Sequence, residues 1–303
     1  MYLHNDKESF KEMIDQVATK NNIAPEIVEK DYYVTLILRL LSEKLDNIVF
    51  KGGTSLSKGF HVINRFSEDI DVTFNEHIGE SRRKKLKYNV LKVIGEELSL
   101  PISNWSSIQS DRDYNAYFFE YHSVFDFDED KMPQYVKLET ALGSYSFPTE
   151  VVEIKNYIGD YLDEHDKNEY SKQFMLDRFS MKLQSLERTY IDKVFALCDY
   201  YIEGKSKRYS RHLYDVYMLT PLMNFDDNFK LLIEEIRLHR KNMPNCPSAQ
   251  DGVSVNNLIK EFCENKFYKE DYLSITNYFT SHPVEYKLVI ENILELTNKN
   301  IFN

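Results

Sequence analysis

One stretch constrains this chain more than any other. The apolar run Asn47-Ile48-Val49-Phe50 ends at Lys51 and a glycine pair, Gly52-Gly53. After a cluster of hydroxyls, the segment Asp69 to Phe74 then alternates acidic or polar and apolar side chains. Residues i and i+2 of a strand project from the same face, so Ile70 and Val72 share one side while Asp69, Asp71 and Thr73 share the other. The stretch therefore predicts a buried strand, a glycine turn, a helix capped by Thr54 or Ser55 and running through Phe60 and Ile63, and a second strand with two carboxylates on one face.

The rest of the chain fits around that unit. Residues 7–20 place Phe10, Met13, Ile14 and Val17 at helical spacing, and a second helix is expected from Pro25, where proline suits the first helical position. Residues 80–98 repeat the helical pattern. Strands are expected at Tyr114 to Phe125, Tyr135 to Leu142 and Thr149 to Ile154. From about Leu176 onward the pattern is mostly helical, with a break at Met243 to Gly252. Gly and Pro number only 9 and 8 in 303 residues, which argues against a turn-rich β-sandwich. The expected fold is α+β, a small mixed β-sheet flanked by helices with a mostly helical C-terminal half. Residues 1–160 form the core with its N-terminal helices in this reading, and 161–303 a helical domain that completes the site.

Composition excludes several classes. The N-terminal segment has no apolar core and does not read as a signal peptide, and no apolar run approaches the roughly 18 residues of a membrane span. The cysteines Cys198, Cys246 and Cys263 are unpaired in spacing, which points to reduced thiols in a cytoplasm and to no zinc site. The net charge of −11 speaks against a general nucleic-acid coat. Two local basic runs stand out, residues 82–87 and 205–212, and a solvated helix face is the plainer account of the first. No Ser–His–Asp arrangement, histidine pair or reactive cysteine is evident.

The chemistry suggested by the opening stretch is phosphoryl transfer. Two carboxylates held on one strand face repel, and a divalent cation relieves that repulsion. Mg²⁺ takes a few carboxylates together with substrate phosphates. Glu139 adds a third carboxylate if its strand pairs beside the first, and could instead act as a base or merely pair with a lysine. The glycine turn lets backbone N–H groups approach an anion, Thr54, Ser55 and Ser57 can donate to phosphate oxygens, and Lys58 can neutralise them. The spacing is not that of a P-loop.

Four groups of residues carry a resemblance. They are Glu29 to Thr35, Phe50 to Lys58, Arg65 to Asp71 with Val136 to Glu139, and Asp192-Lys193 with Ala196, Arg211 and Tyr214 to Tyr217. In this order they resemble the AbiEii/AbiGii toxin family of the DNA polymerase β-like nucleotidyltransferase superfamily, found in abortive-infection and type IV toxin–antitoxin systems. The resemblance implies a nucleotidyltransferase-like fold, Mg²⁺ or Mn²⁺ as cofactor and a nucleoside triphosphate as substrate. It implies Asp69, Asp71 and Glu139 as metal ligands and catalytic residues, joined by Lys193 and Asp215. Gly52, Gly53, Thr54, Ser55, Lys58, Ser67 and Arg211 would bind the nucleotide. It implies transfer to a tRNA 3′ end that blocks translation in toxin–antitoxin or phage defence, and a cognate antitoxin as partner. Transfer to a protein hydroxyl, or nucleotide binding without turnover, are the alternatives. His212 stands where many members carry an acid, which puts a carboxylate role there in doubt.

Simpler roles stand beside several of these. Lys193 alone would be a surface lysine of a helix. Asp215 could pair with Arg211 four residues earlier. Lys51 could merely flank the turn. Glu29, Lys30 and Asp31 head an apolar helix, where acids suit the dipole. Arg237, His239 and Arg240 could touch RNA, although a solvated helix face explains them as well.

Overall fold

The computed structural model describes residues 1–65, 67, 69–126, 132–278, 280 and 282–302, so Phe66 and Glu68 of the Arg65 to Asp71 motif lie outside the described residues. The chain divides into two compact units. One comprises Met1–Gly59 and Glu68–Leu183, the other Phe60–Ser67 and Gln184–Asn303.

The first unit holds the sheet. Its strands are β1 (Ile48–Lys51), β2 (Ile70–Phe74), β3 (Tyr114–Glu120), β4 (Tyr135–Ala141), β5 (Thr149–Ile154) and β6 (Phe179–Gln184), in the order β3-β4-β2-β1-β6-β5. β1 runs antiparallel to β2, β2 parallel to β4 and β3 antiparallel to β4. β1 runs parallel to β6, with Phe50 opposite Leu183. The alternation in β4 explains its place: Val136, Leu138 and Thr140 are buried while Lys137, Glu139 and Ala141 are partly open. β6 departs from the sequence reading, which has this region helical. Only six residues long and directly ahead of a helix, it gives too short an alternation to stand out.

Helices pack around this sheet. α1 (Lys7–Asn21) is capped by Asp6, whose side chain accepts from the Ser9 amide, and ends at Asn22 in the left-handed region. α2 (Pro25–Lys44) starts on its proline and buries most of its length. α3 (Gly52–Lys58) follows β1 directly. α4 (Glu80–Lys85) continues through a π-helical stretch, Leu86–Leu91, into α5 (Lys92–Glu97). α6 (Tyr157–Glu164) and α7 (Asn168–Gln173) come before β6.

The expected helix after the glycine pair is shorter and differently built. It stops at Lys58, and the next residue must be small: a Cβ at Gly59 would meet Leu183 Cδ2 at 2.2 Å. Phe60 to Ser67 then belong to the other unit. Thr54 and Ser55 do not cap: both lie inside α3, and the Ser55 hydroxyl donates to the Gly52 carbonyl at 2.9 Å.

The second unit is helical. α8 (Leu186–Ile202) is capped by Ser185 and packs on α9 (Arg211–Leu219), α10 (Asp227–Lys241) and α11 (Val255–Glu264). The single turn α12 (Lys269–Asp271) leads toward α13 (Tyr286–Asn298), which packs on α9 and α11. The segment before Ser67 is pinned here by Asn64, whose amide donates to Tyr214 Oη at 3.3 Å, and by a bridge between Arg65 and Thr280. The three cysteines are buried and unpaired. Among the described residues no helix is long and apolar enough to cross a membrane.

Candidate active site

The sheet brings the two acidic strands together. Asp71 stands directly opposite Glu139 in the β2–β4 pair, and opposite Lys51 in the β1–β2 pair. β1 and the glycine turn therefore flank Asp71 on one side and β4 flanks it on the other. Gly52 closes the arrangement from below. Its φ is +81°, and a Cβ there would fall 2.1 Å from Asp71 Oδ2. Only glycine supplies both that backbone angle and that clearance.

Two cationic or hydroxyl donors converge on Glu139. Lys137, one strand step away, places Nζ 2.5 Å from Glu139 Oε1 and 3.9 Å from Asp69 Oδ2. Tyr114, at the start of β3, donates its hydroxyl to the same Oε1. Burial and the neighbouring Glu139 raise the Asp71 carboxyl, with Lys51 opposing. Burial also pushes Glu139 upward, but the bonds from Lys137, Tyr114 and Asp71 outweigh it and leave Glu139 below its usual range. Two close carboxylates in a confined site repel, and here the repulsion falls on Asp71, whose carboxyl is raised while that of Glu139 is lowered.

Tyr114 was not legible as a site residue. On β3 it pairs with Ala141, while Ala116 pairs with Glu139, so Tyr114 is a diagonal neighbour of Glu139 on one sheet face. Only the register reveals that contact.

Among the described residues, no group of three or more His, Cys, Asp or Glu side chains stands assembled as a metal site. The chemistry of the oxygens nevertheless suits a hard divalent cation. Asp71 and Glu139 lie on adjoining strands with Asp69 just ahead of β2, and the Lys137 ammonium stands beside Asp69 and Glu139, where such an ion would also offset their charge.

The glycine turn is braced from beneath. Lys58, buried, pairs with Asp31 of α2 and donates to the Lys155 carbonyl at 3.2 Å. Asp31 also accepts from the Tyr157 amide at 3.0 Å. Its neighbours are equally committed. Glu29 is fully buried and accepts from Ser123 Oγ and the Val124 amide, and Lys30 donates to the Pro133 carbonyl. The charged triplet heading α2 is therefore a set of ties to distant loops, a role that sequence alone does not disclose.

The later motif residues form a second cluster, within the second unit. Asp215 is completely buried and accepts from Arg65 Nε at 2.6 Å, Arg65 Nη2 at 2.7 Å and Lys193 Nζ at 2.6 Å. Burial would raise the Asp215 carboxyl, but Arg65 and Lys193 hold it well below the usual carboxylate range. Burial lowers the Lys193 ammonium against the pull of Asp215. Lys193 is thus no surface lysine, and the partners of Asp215 are Arg65 and Lys193 in place of the local Arg211. Arg211 is exposed at the start of α9. Beside it His212 is kept neutral by burial and by the Lys193 and Arg211 charges, and its Nδ1 has no hydrogen-bond partner among the described residues. Ser67 is half-buried.

The two basic runs differ. In the first, Arg82 pairs with Glu76, Arg83 with Asp113 and Lys84 with Glu80, while Lys87 is buried against the Ile108 carbonyl. In the second, Lys205 pairs with Glu203, whereas Lys207, Arg208 and Arg211 are exposed and have no ion pair among the described residues. Arg237 and Arg240 are structural: Arg237 donates to the Val253 and Phe302 carbonyls, and Arg240 joins Asp192 and Asp199 at 3.0 and 2.6 Å.

A mixed sheet among helices, with a glycine turn packed against an acid of the adjoining strand, is a nucleotidyltransferase-like arrangement. The family model of the nucleotidyl transferase AbiEii toxin, type IV TA system, matches residues 36–283. The chain belongs to that family of nucleotidyltransferase toxins, which implies a nucleoside triphosphate substrate and an antitoxin partner. No curated protein matches it. Among solved structures, JHP933 from Helicobacter pylori is 17% identical, with 92% of this chain and 94% of that chain covered and a TM-score of 0.49. MenT4, a nucleotidyltransferase toxin from Mycobacterium tuberculosis H37Rv, is 15% identical, with 94% and 87% covered and a TM-score of 0.48. Neither likeness bears on the site.

Proposed function

We propose that this toxin transfers a nucleoside monophosphate from a nucleoside triphosphate to the 3′ end of a tRNA, and that the modified tRNA blocks translation in toxin–antitoxin or phage defence. The observation that carries the reading is Asp71, set opposite Glu139 and directly over Gly52. An acid pair touching a tight backbone turn suits a substrate that brings phosphate and cation together.

In this reading Asp69, Asp71 and Glu139 hold Mg²⁺ or Mn²⁺. The metal, when bound, supplies positive charge to the carboxylates and the phosphate oxygens. Gly52, Gly53, Thr54 and Ser55 present the turn to the triphosphate, and Lys58 holds that turn in place through Asp31. Tyr114 and Lys137 orient Glu139. Ser67, Arg211, Lys193 and Asp215 enter through the family resemblance. Because Lys193 and Asp215 are buried together, their contribution is to keep Arg65 and α9 in position.

The test uses purified protein, Mg²⁺, total tRNA and each α-labelled nucleoside triphosphate in turn, beside Asp69→Ala. Label entering tRNA with the wild type alone is the expected result. No label in tRNA from any of the four nucleotides overturns the tRNA reading, and labelled protein in the same gel would identify a protein acceptor.

A further inference from the structure

The two basic runs look alike in sequence and are unlike in structure. In the first, Arg82, Arg83 and Lys84 are ion-paired and Lys87 is buried, which leaves Lys85 alone exposed and unpaired among the described residues. The second leaves Lys207, Arg208 and Arg211 exposed, with no ion-pair partner among the described residues, within five residues of a chain that is strongly acidic overall. Unpaired cations so close together repel one another, and a polyanion that displaces their counterions is the natural relief.

Two further observations narrow the partner. The loop is fixed in shape. Buried Asp271 accepts from the Arg208 amide at 2.7 Å, from the Ser210 amide at 3.1 Å and from Ser210 Oγ at 2.6 Å, and Arg208 is held at φ +68°. The cations are also interleaved with aromatic rings. Tyr209 stacks on Tyr200 with centroids 3.6 Å apart, and His212 lies nearly parallel to Tyr200 at 5.9 Å. Exposed cations on a fixed loop around stacked rings are what a single strand of nucleic acid requires, phosphates for the cations and a base for the ring faces. An acidic peptide would use the cations and leave the rings idle.

We infer that residues 205–211 form a docking surface for single-stranded RNA, with Lys207 and Arg208 on phosphates and Tyr209 stacking against a base. The inference rests on the tRNA reading above and adds to it the surface that receives an unpaired strand.

The experiment is fluorescence anisotropy with a short unstructured RNA oligonucleotide, titrated across a salt series. Wild type is compared with Lys207→Glu/Arg208→Glu, with Tyr209→Ala, and with Arg82→Glu/Lys84→Glu as an equal charge change on the first run. Thermal melting confirms that each variant is folded. The first pair should lose at least tenfold in affinity and flatten the log–log salt slope by about 1.4, two phosphate contacts on a single strand. Tyr209→Ala should lose roughly tenfold with its slope unchanged. The control should bind like wild type. Equal loss in both charge variants, or no loss in the first, overturns the surface. Equal competition by a poly-glutamate peptide, with Tyr209→Ala silent, would make it a site for acidic protein and overturn the RNA assignment. Wild type that binds no RNA at low salt also overturns it, while nucleotide transfer, assayed separately, decides the transferase reading by itself.

Discussion

Gly52 and Tyr114 are the residues whose substitution is most informative. At Gly52 an alanine would have to place its Cβ against Asp71 Oδ2 on a backbone with φ +81°. Gly52→Ala is expected to lower stability by more than about 1 kcal/mol in urea unfolding and to abolish transfer, because Asp71 must move. Tyr114→Phe removes one donor to Glu139 from a side chain that is 54% exposed. Stability should change by less than about 0.5 kcal/mol. Loss of an orienting partner should weaken the apparent Mg²⁺ affinity by about tenfold, read by titration of metal-dependent nucleotide binding. The first residue was visible in the sequence as half of a glycine pair. The second was not, because its contact exists only through the β3–β4 register.

Among the elements, the strands and helices with long, regular patterns were legible. α1, α2, the helical region beginning at Glu80, and β1, β2, β4 and β5 fall where the sequence reading puts them, while β3 ends at Glu120, short of the expected Phe125. What escaped was set by distant packing. β6 is a strand because Leu183 meets Phe50, and α3 stops where Gly59 meets Leu183. In the same way the motif residues Lys193 and Asp215 could be picked out, but their burial with Arg65 could not, since Arg65 and Asp215 are far apart in the chain. That cluster makes a prediction about α8 and α9. Asp215→Ala leaves two buried cations without their carboxylate and should cost about 3–5 kcal/mol, measured by denaturant unfolding. Lys193→Met should cost less, because Asp215 keeps its two bonds to Arg65.

At the scale of the whole molecule, buried carboxylates set the response to pH in two opposite windows. Asp215 is held below its usual value when folded, so its contribution is fully present above the ordinary carboxylate range and is lost as pH falls through and below it. Glu29 is raised by burial, so its ionisation erodes stability as pH rises from the ordinary glutamate value toward its higher folded value. Urea midpoints across pH 3 to 8 should therefore climb steeply at the acid end. Asp71, raised to about 7 by burial and by Glu139, adds to the same decline, so Glu29→Gln should lessen it without abolishing it, and an unchanged profile in that variant would refute the Glu29 assignment. The order of the strands also has a consequence for synthesis. β1, which carries the chain into the glycine turn, pairs on one flank with β6, the last strand to be made. A ribosome that has reached Glu139 has already made the glycine turn and all three proposed metal-binding carboxylates, yet the strand that backs them is still untranslated. An abandoned, truncated nascent chain would thus carry the chemistry without its frame, which delays the hazard of a toxic enzyme until most of its message has been read.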